Sequence, residues 1–161
     1  MKQSGMKSRP AQRRINIKYA RRKLAALLAA NFQAGDLLVT LRFNTFRGKA
    51  GRSFMTHCLR WWVKEMRRDY DKAGATFRYI YALDTGHQDG SCALAVVNQA
   101  GLSSTAYSWQ YGRVTVEPLD TFKDWDALAD RLMRETLAHM EKPVPNEWAY
   151  HAANGLQHGP E

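Results

Sequence analysis

Residues 76–98 constrain the fold of this chain more than any other stretch. Thr76 to Asp84 alternates, with Phe77, Tyr79, Tyr81 and Leu83 on one side and Arg78, Ile80, Ala82 and Asp84 on the other. A period of two is that of a strand, not of a helix. Ser91 to Asn98 is a second apolar run of strand length. Between them lies Thr85-Gly86-His87-Gln88-Asp89-Gly90, a run rich in turn formers. Two strands joined this closely pair as a hairpin, so the centre of the sheet is antiparallel.

The remaining elements are placed by the same reasoning. Leu37 to Phe43 is a strand with Leu37, Val39, Leu41 and Phe43 on one face, and Gly112 to Leu119 is another. Ile17, Leu24, Leu27, Leu28 and Phe32 fall near helical spacing and predict a helix over Arg13–Asn31. A second helix starts at Ser53 as cap and runs to about Lys72, where Ala73-Gly74 ends it. Its buried stripe is Phe54, Cys58, Trp61 or Trp62, Met66 and Tyr70. A short helix is predicted over Leu102–Gln110, and a longer one over Asp124–Met140 with Trp125, Leu128, Leu132 and Glu135 or Thr136 toward the core. After the first helix the order is β-α-β-β-α-β-α. That order predicts an α+β fold: a ferredoxin-like antiparallel sheet of four to five strands with helices mainly on one face. The other face is then expected to be open to a ligand.

The length of 161 residues suits one domain, taken here as residues 13–161 behind a polar, basic, disordered arm at 1–12. No apolar run approaches the roughly 18 residues of a membrane span, and no early apolar run suggests a signal peptide. Cys58 and Cys92 form neither a metal-type spacing nor a disulfide framework, which predicts a reducing, cytoplasmic setting.

Charge is unevenly placed. Lys2, Lys7, Arg9, Arg13, Arg14, Lys18, Arg21, Arg22 and Lys23 precede the first acidic residue, and these nine equal the whole net charge of +9. The second helix adds Arg60, Lys64, Arg67 and Arg68, and the loop before it adds Arg47, Lys49 and Arg52. From Glu117 onward the chain is net acidic. A basic first third is the footprint of a nucleic-acid partner bound through its phosphates. The loop Phe46–Arg52 lacks the spacing of a P-loop, although Arg47, Lys49 and Arg52 are suited to phosphate.

The succession of a basic helix, "NFQAGDLLVTLRF", an amphipathic basic helix, "FRYIYALDTG", "GSCALAVVN", "WQYGRV", "ALADRLMRE" and a closing "NGL" resembles the rolling-circle replication initiators of plasmids and filamentous phages. These belong to the HUH endonuclease superfamily, and the resemblance spans roughly residues 13–156. It implies a DNA-nicking fold. Two histidines on one strand and an acid on its neighbour bind a divalent ion, Mg or Mn, and a helical tyrosine attacks a DNA phosphate.

Carried over residue by residue, the resemblance puts Asp84 at the acidic ligand, Cys92 and Leu94 at the two histidine positions, and Arg131 at the tyrosine, with Arg134 keeping the basic character one turn later. Both histidines and the nucleophile are therefore missing. His87, beside Asp89, is a weak metal candidate together with Asp84, and the plainer reading is an exposed turn histidine. Tyr150 is a candidate displaced nucleophile, though Trp148 and Tyr150 more simply pin the tail; His151 and His158 fall in a tail predicted mobile. His57 and Cys58, adjacent on a helix, point apart and form no dyad. Tyr107, Trp109 and Tyr111 read as packing residues. Phe77, Tyr79 and Tyr81 would form a stacking platform on an open sheet face and core on a covered one.

Three functions follow as expectations. The first is a DNA-binding protein of a phage, plasmid or integrated element, derived from an initiator and not cutting. It would grip the backbone with Arg13, Arg14, Lys18, Arg21, Arg22, Arg47, Lys49, Arg52, Arg60, Lys64 and Arg67. The second is a protein-binding inhibitor of a host nuclease or defence complex, RNA-guided ones included, acting through the acidic C-terminal third. The third is a nickase with relocated ligands.

Overall fold

The computed structural model describes residues 10–44, 51–85, 91–99, 109–121, 124–138, 150–153 and 155–157; for residues 10–14, 121, 136 and 138 it describes the backbone alone. The elements are α1 (Pro10–Asn31), β1 (Leu37–Arg42), α2 (Arg52–Lys72), β2 (Tyr79–Asp84), β3 (Cys92–Val97), β4 (Val114–Pro118), α3 (Trp125–Leu132), α4 (Arg134–Ala138) and β5 (His151–Ala152). The turn at 86–90, the loop at 45–50 and nearly all of the helix predicted over Leu102–Gln110 lie outside the described residues.

The sheet has the order β4-β1-β3-β2-β5, and every neighbouring pair is antiparallel. β2 and β3 form the predicted hairpin. β1 pairs with the far side of β3, so β1, α2 and β2 make a split crossover around it. That is the ferredoxin-like arrangement, extended by β5 beyond β2.

Register decides which residues share a face. Leu37, Val97 and Tyr79 stand directly across from one another, as do Leu38, Val96 and Ile80 in the next row. The Tyr79 face meets α2: Tyr70 packs on Phe77 at 4.7 Å, and Phe54 meets Phe43 at 6.1 Å. The Ile80 face meets the other helices: Arg78 Nε donates to the Asn31 carbonyl at the end of α1, and Arg134 of α4 bonds Asp84. α1 and α3 pack on each other over this face, where Leu24, Leu28, Leu128 and Leu132 are fully or almost fully buried. Most helices thus share one face, as predicted, but the opposite face is not open. α2 covers it, β2 and β3 are buried along their whole lengths, and Phe77, Tyr79 and Tyr81 are core rather than platform.

Several predicted boundaries shift for identifiable reasons. α1 begins at Pro10, inside the segment predicted disordered; proline suits a first helical turn because its missing N–H has no intrahelical partner there. α2 begins one residue before Ser53, so Gly51 is the cap and the Ser53 hydroxyl is not. The buried stripe of α2 is Met55, Cys58, Leu59, Trp62, Val63, Met66 and Tyr70, which decides for Trp62 and leaves Phe54 and Trp61 at 47% and 38% exposed. β2 starts at Tyr79 rather than Thr76 because the Asn98 side chain takes over the pairing there. Its oxygen accepts from Arg78 N at 2.7 Å, and its nitrogen donates to Thr76 O at 2.8 Å. The helix predicted over Asp124–Met140 is two helices that part at Met133 (φ −94°, ψ 18°). Asp124 caps the first, accepting from Ala127 N at 2.7 Å.

Two backbone features close the sheet end near Arg42. The Trp109 indole donates to Arg42 O at 2.7 Å, and Gly112 passes so close that a Cβ there would lie 2.2 Å from the same oxygen. The C-terminal segment is tied down at two places. His151 and Ala152 pair with Tyr81 and Ile80, and Gln157 exchanges backbone bonds with the Asn31 side chain at 2.6 and 2.9 Å. His151 therefore sits in a strand and not in a mobile tail; Trp148 and His158 lie outside the described residues.

Candidate functional site

Three side chains form a row across the end of the sheet. Arg42 of β1 stands opposite Cys92 of β3, which stands opposite Asp84 of β2. All three project to the face of α3 and α4. Asp84 is 2% exposed, and a buried carboxylate must find a counter-charge. It finds Arg134, whose guanidinium meets both carboxylate oxygens at 2.7 and 3.1 Å. The bond pushes the Arg134 pKa further up. The neighbouring Glu135, also buried, accepts from Thr85 N at 2.9 Å and from Arg52 at 3.2 Å. The break at Met133 lets consecutive residues of α4 serve these two partners.

The resemblance expects a divalent ion at this row, and the residues present do not fit one. The single carboxylate is held by a guanidinium. Burial, reinforced by the Asp84 charge, pushes the Cys92 thiol up to about 11, which raises the cost of the thiolate that a metal would need. Leu94 is buried hydrocarbon opposite Thr40 and Ala82. Arg131 is exposed at the position of the tyrosine, and its charge reaches Cys92. Among the described residues no three His, Cys, Asp or Glu side chains cluster closely enough to hold a metal. His87 lies outside them.

The predicted phosphate-gripping residues are not one surface. Arg13 and Arg14 lie on the first turns of α1, their side chains outside the described part, and Arg47 and Lys49 are likewise outside it. Lys18 and Arg22 are exposed on α1. Arg21 is turned inward, bound through both nitrogens to Asp130 of α3, the second contact at 3.1 Å. Arg52 is half-buried beside Glu135. Arg60, Lys64 and Arg67 are exposed on α2. Since α1 and α2 sandwich the sheet, their basic stripes face away from each other.

On α2 the cations have company. Phe54 and Trp61 are two of the four large apolar side chains left exposed among the described residues, seven residues apart on one side of α2; Lys64 stands one turn from Trp61, whereas Arg60 and Arg67 lie toward the other side of the helix's exposed surface. Phe54 is braced by Tyr111 at 5.6 Å and by Phe43. The strand aromatics, which would serve as a platform only on an open face, are buried, and a helix presents aromatics instead.

On the Arg60 side of the helix, away from Phe54, a cleft of about 470 Å³ opens between the first turns of α2 and the edge made by β2 and β5. Arg52, Ser53, Thr56 and Arg60 line one wall, and Tyr81, Leu83, Tyr150 and His151 the other. Tyr81 and His151 rings are 5.0 Å apart. Nothing in the sequence spacing marks this cleft, because β5 is two residues long and follows its partner strand by most of the C-terminal half.

No family model matches this chain, and no match to it was found among curated proteins or solved structures.

Proposed function

We propose that this chain binds DNA through the outward face of α2 and does not nick it by the metal-and-tyrosine route. The observation that carries the reading is exposed Lys64 one turn from exposed Trp61, with Arg60, Arg67 and Phe54 exposed on the same helix. Cations at this spacing neutralise backbone phosphates, and aromatic faces next to them stack on unpaired bases. Together they favour single strands over duplex and make no demand on base sequence. The Asp84–Arg134 clamp and the protonated Cys92 argue against metal-assisted cutting. A mobile element's replication control is the setting this suggests, with Cys58 and Cys92 as buried free thiols in keeping with a cytoplasmic location.

The inhibitor reading has less to stand on. Of the six described acidic residues from Glu117 onward, four already have partners within the fold: Asp130 on Arg21, Glu135 on Thr85 and Arg52, Asp124 as a cap, and Asp120 accepting from Gly35 N at 3.0 Å.

Titrating a fluorescent oligothymidylate and its duplex against rising salt tests the proposal. Binding of the single strand that weakens steeply with salt is expected. No binding of either form at low salt would overturn it. Supercoiled circles incubated with Mg or Mn are expected to stay uncut.

A further inference from the structure

The cleft beside α2 has a chemistry of its own. We infer that it takes a phosphorylated nucleotide, either free or at the phosphorylated end of a strand, with the phosphate toward Arg60 and the ring against His151 and Tyr150. This extends the DNA-binding reading to a second subsite, and it rests on that reading only for the strand-end case.

Four observations carry the inference. The volume of about 470 Å³ lies within the range of roughly 300–1,000 Å³ of small-molecule sites. Two guanidiniums and two aliphatic hydroxyls line one wall, and among the described residues no carboxylate lines either, so the cleft favours an anion that accepts several hydrogen bonds. Arg52 is shared with Glu135, which leaves exposed Arg60 as the cation on which the proposal depends. The opposite wall carries three aromatic side chains, Tyr81, Tyr150 and His151, with the Tyr81 and His151 rings 5.0 Å apart. Such a wall offers a flat apolar surface to a base.

Three further points support this arrangement. Burial and the nearby Arg60 charge push the His151 pKa down, so its imidazole is neutral at pH 7 and stacks without adding charge. Arg60 also acts on Tyr81, which shows that its charge is felt inside the cleft. The first turn of α2, capped by Gly51 without a side-chain bond, adds backbone donors at the same wall.

The test uses the full chain and three probes: a labelled oligothymidylate with a 5′-phosphate, its 5′-hydroxyl twin, and dTMP as competitor. Preference for the phosphorylated strand by about tenfold, lost in Arg60→Gln and kept in Arg60→Lys, supports a strand-end site. Saturable dTMP binding that falls by about tenfold in Arg60→Gln and several-fold in His151→Ala supports a free-nucleotide site, even if no oligonucleotide binds. Equal affinity for the two strands together with no competition by dTMP overturns the inference, as does a phosphate preference that survives in Arg60→Gln. Strand binding with neither a phosphate preference nor competition by dTMP leaves the α2 reading standing and removes only the cleft.

Discussion

The two sides of the sheet treat charge in opposite ways. Around α3 and α4, charges are matched within the fold, Asp84 and Glu135 in its interior: Asp84 with Arg134, Glu135 with Arg52 and Thr85, and, nearer the surface, Asp130 with Arg21. On α2, Arg60, Lys64 and Arg67 stand in solvent, Lys64 one turn from exposed Trp61. Matched charges at a buried site stabilise a fold and are unavailable to a partner, whereas unmatched exposed ones cost little and attract a counter-charge. The end of the sheet where the resemblance expects chemistry is therefore structural, and the helix expected only to grip is the better candidate surface.

Breaking the inward side should unsettle the fold. Arg134→Met leaves Asp84 buried without its counter-charge, and a loss of about 3 kcal/mol in urea unfolding is expected, toward the lower end for buried pairs because Arg134 is itself half exposed. Asp84→Asn added to it should recover much of that loss, since a neutral amide needs no cation. Additive losses in the double variant would show that the pair is not coupled.

The same row predicts a pH dependence. A thiol whose folded pKa is raised from the ordinary 9 to about 11 is protonated in the fold while the unfolded chain has already ionised. Its stabilising contribution is complete below pH 9 and is lost as pH rises toward 11. The loss is on the order of 2 kcal/mol at its limit. Cys92→Ala should flatten the fall of stability between pH 9 and 11, leaving a further decline toward pH 12 from Tyr70, which burial raises to about 12. An unchanged slope would contradict the buried, protonated thiol.

Breaking the outward side should leave the fold alone. Trp61→Ala is expected to change stability by less than about 0.5 kcal/mol and to weaken single-strand binding by about tenfold, with less effect on duplex. Equal weakening of both forms would argue for charge without stacking. The smallest effect belongs to a basic residue that the fold has claimed. Arg21→Gln should cost under about 1 kcal/mol, because its pair with Asp130 is part-exposed, and should leave the salt dependence of DNA binding unchanged. A changed dependence would place α1 in the interface.

How much of this was legible in the sequence depends on whether local pattern or distant partners decided it. The hairpin could be read because period two in residues 76–84 survives in the fold, and the strand order followed from the element order. The adjacency of Asp84 and Cys92 followed from the same register. The split at Met133 could not be read: Leu-Met-Arg-Glu is sound helix sequence, and the break serves Asp84 and Thr85, about fifty residues earlier. That both faces are covered was hidden because Arg78 and Asp84 bracket the Ile80 side of β2 and make it look half-polar. Trp61 and Trp62 are neighbours of equal hydrophobicity, and only the docking of α2 on Tyr79 and Tyr81 chooses which is buried. Arg21 looked like Arg22 until α3 brought Asp130 beside it.

Salt dependence of single-strand binding by the Lys64→Gln, Arg67→Gln double variant tests the central claim most directly. Each phosphate contact contributes about 0.7 to the slope of log affinity against log salt for a single strand. The variant is expected to keep its fold and to lose about 1.4 of that slope relative to the parent protein. The same slope in both proteins would contradict the assignment of the outward face of α2 as the DNA-binding surface.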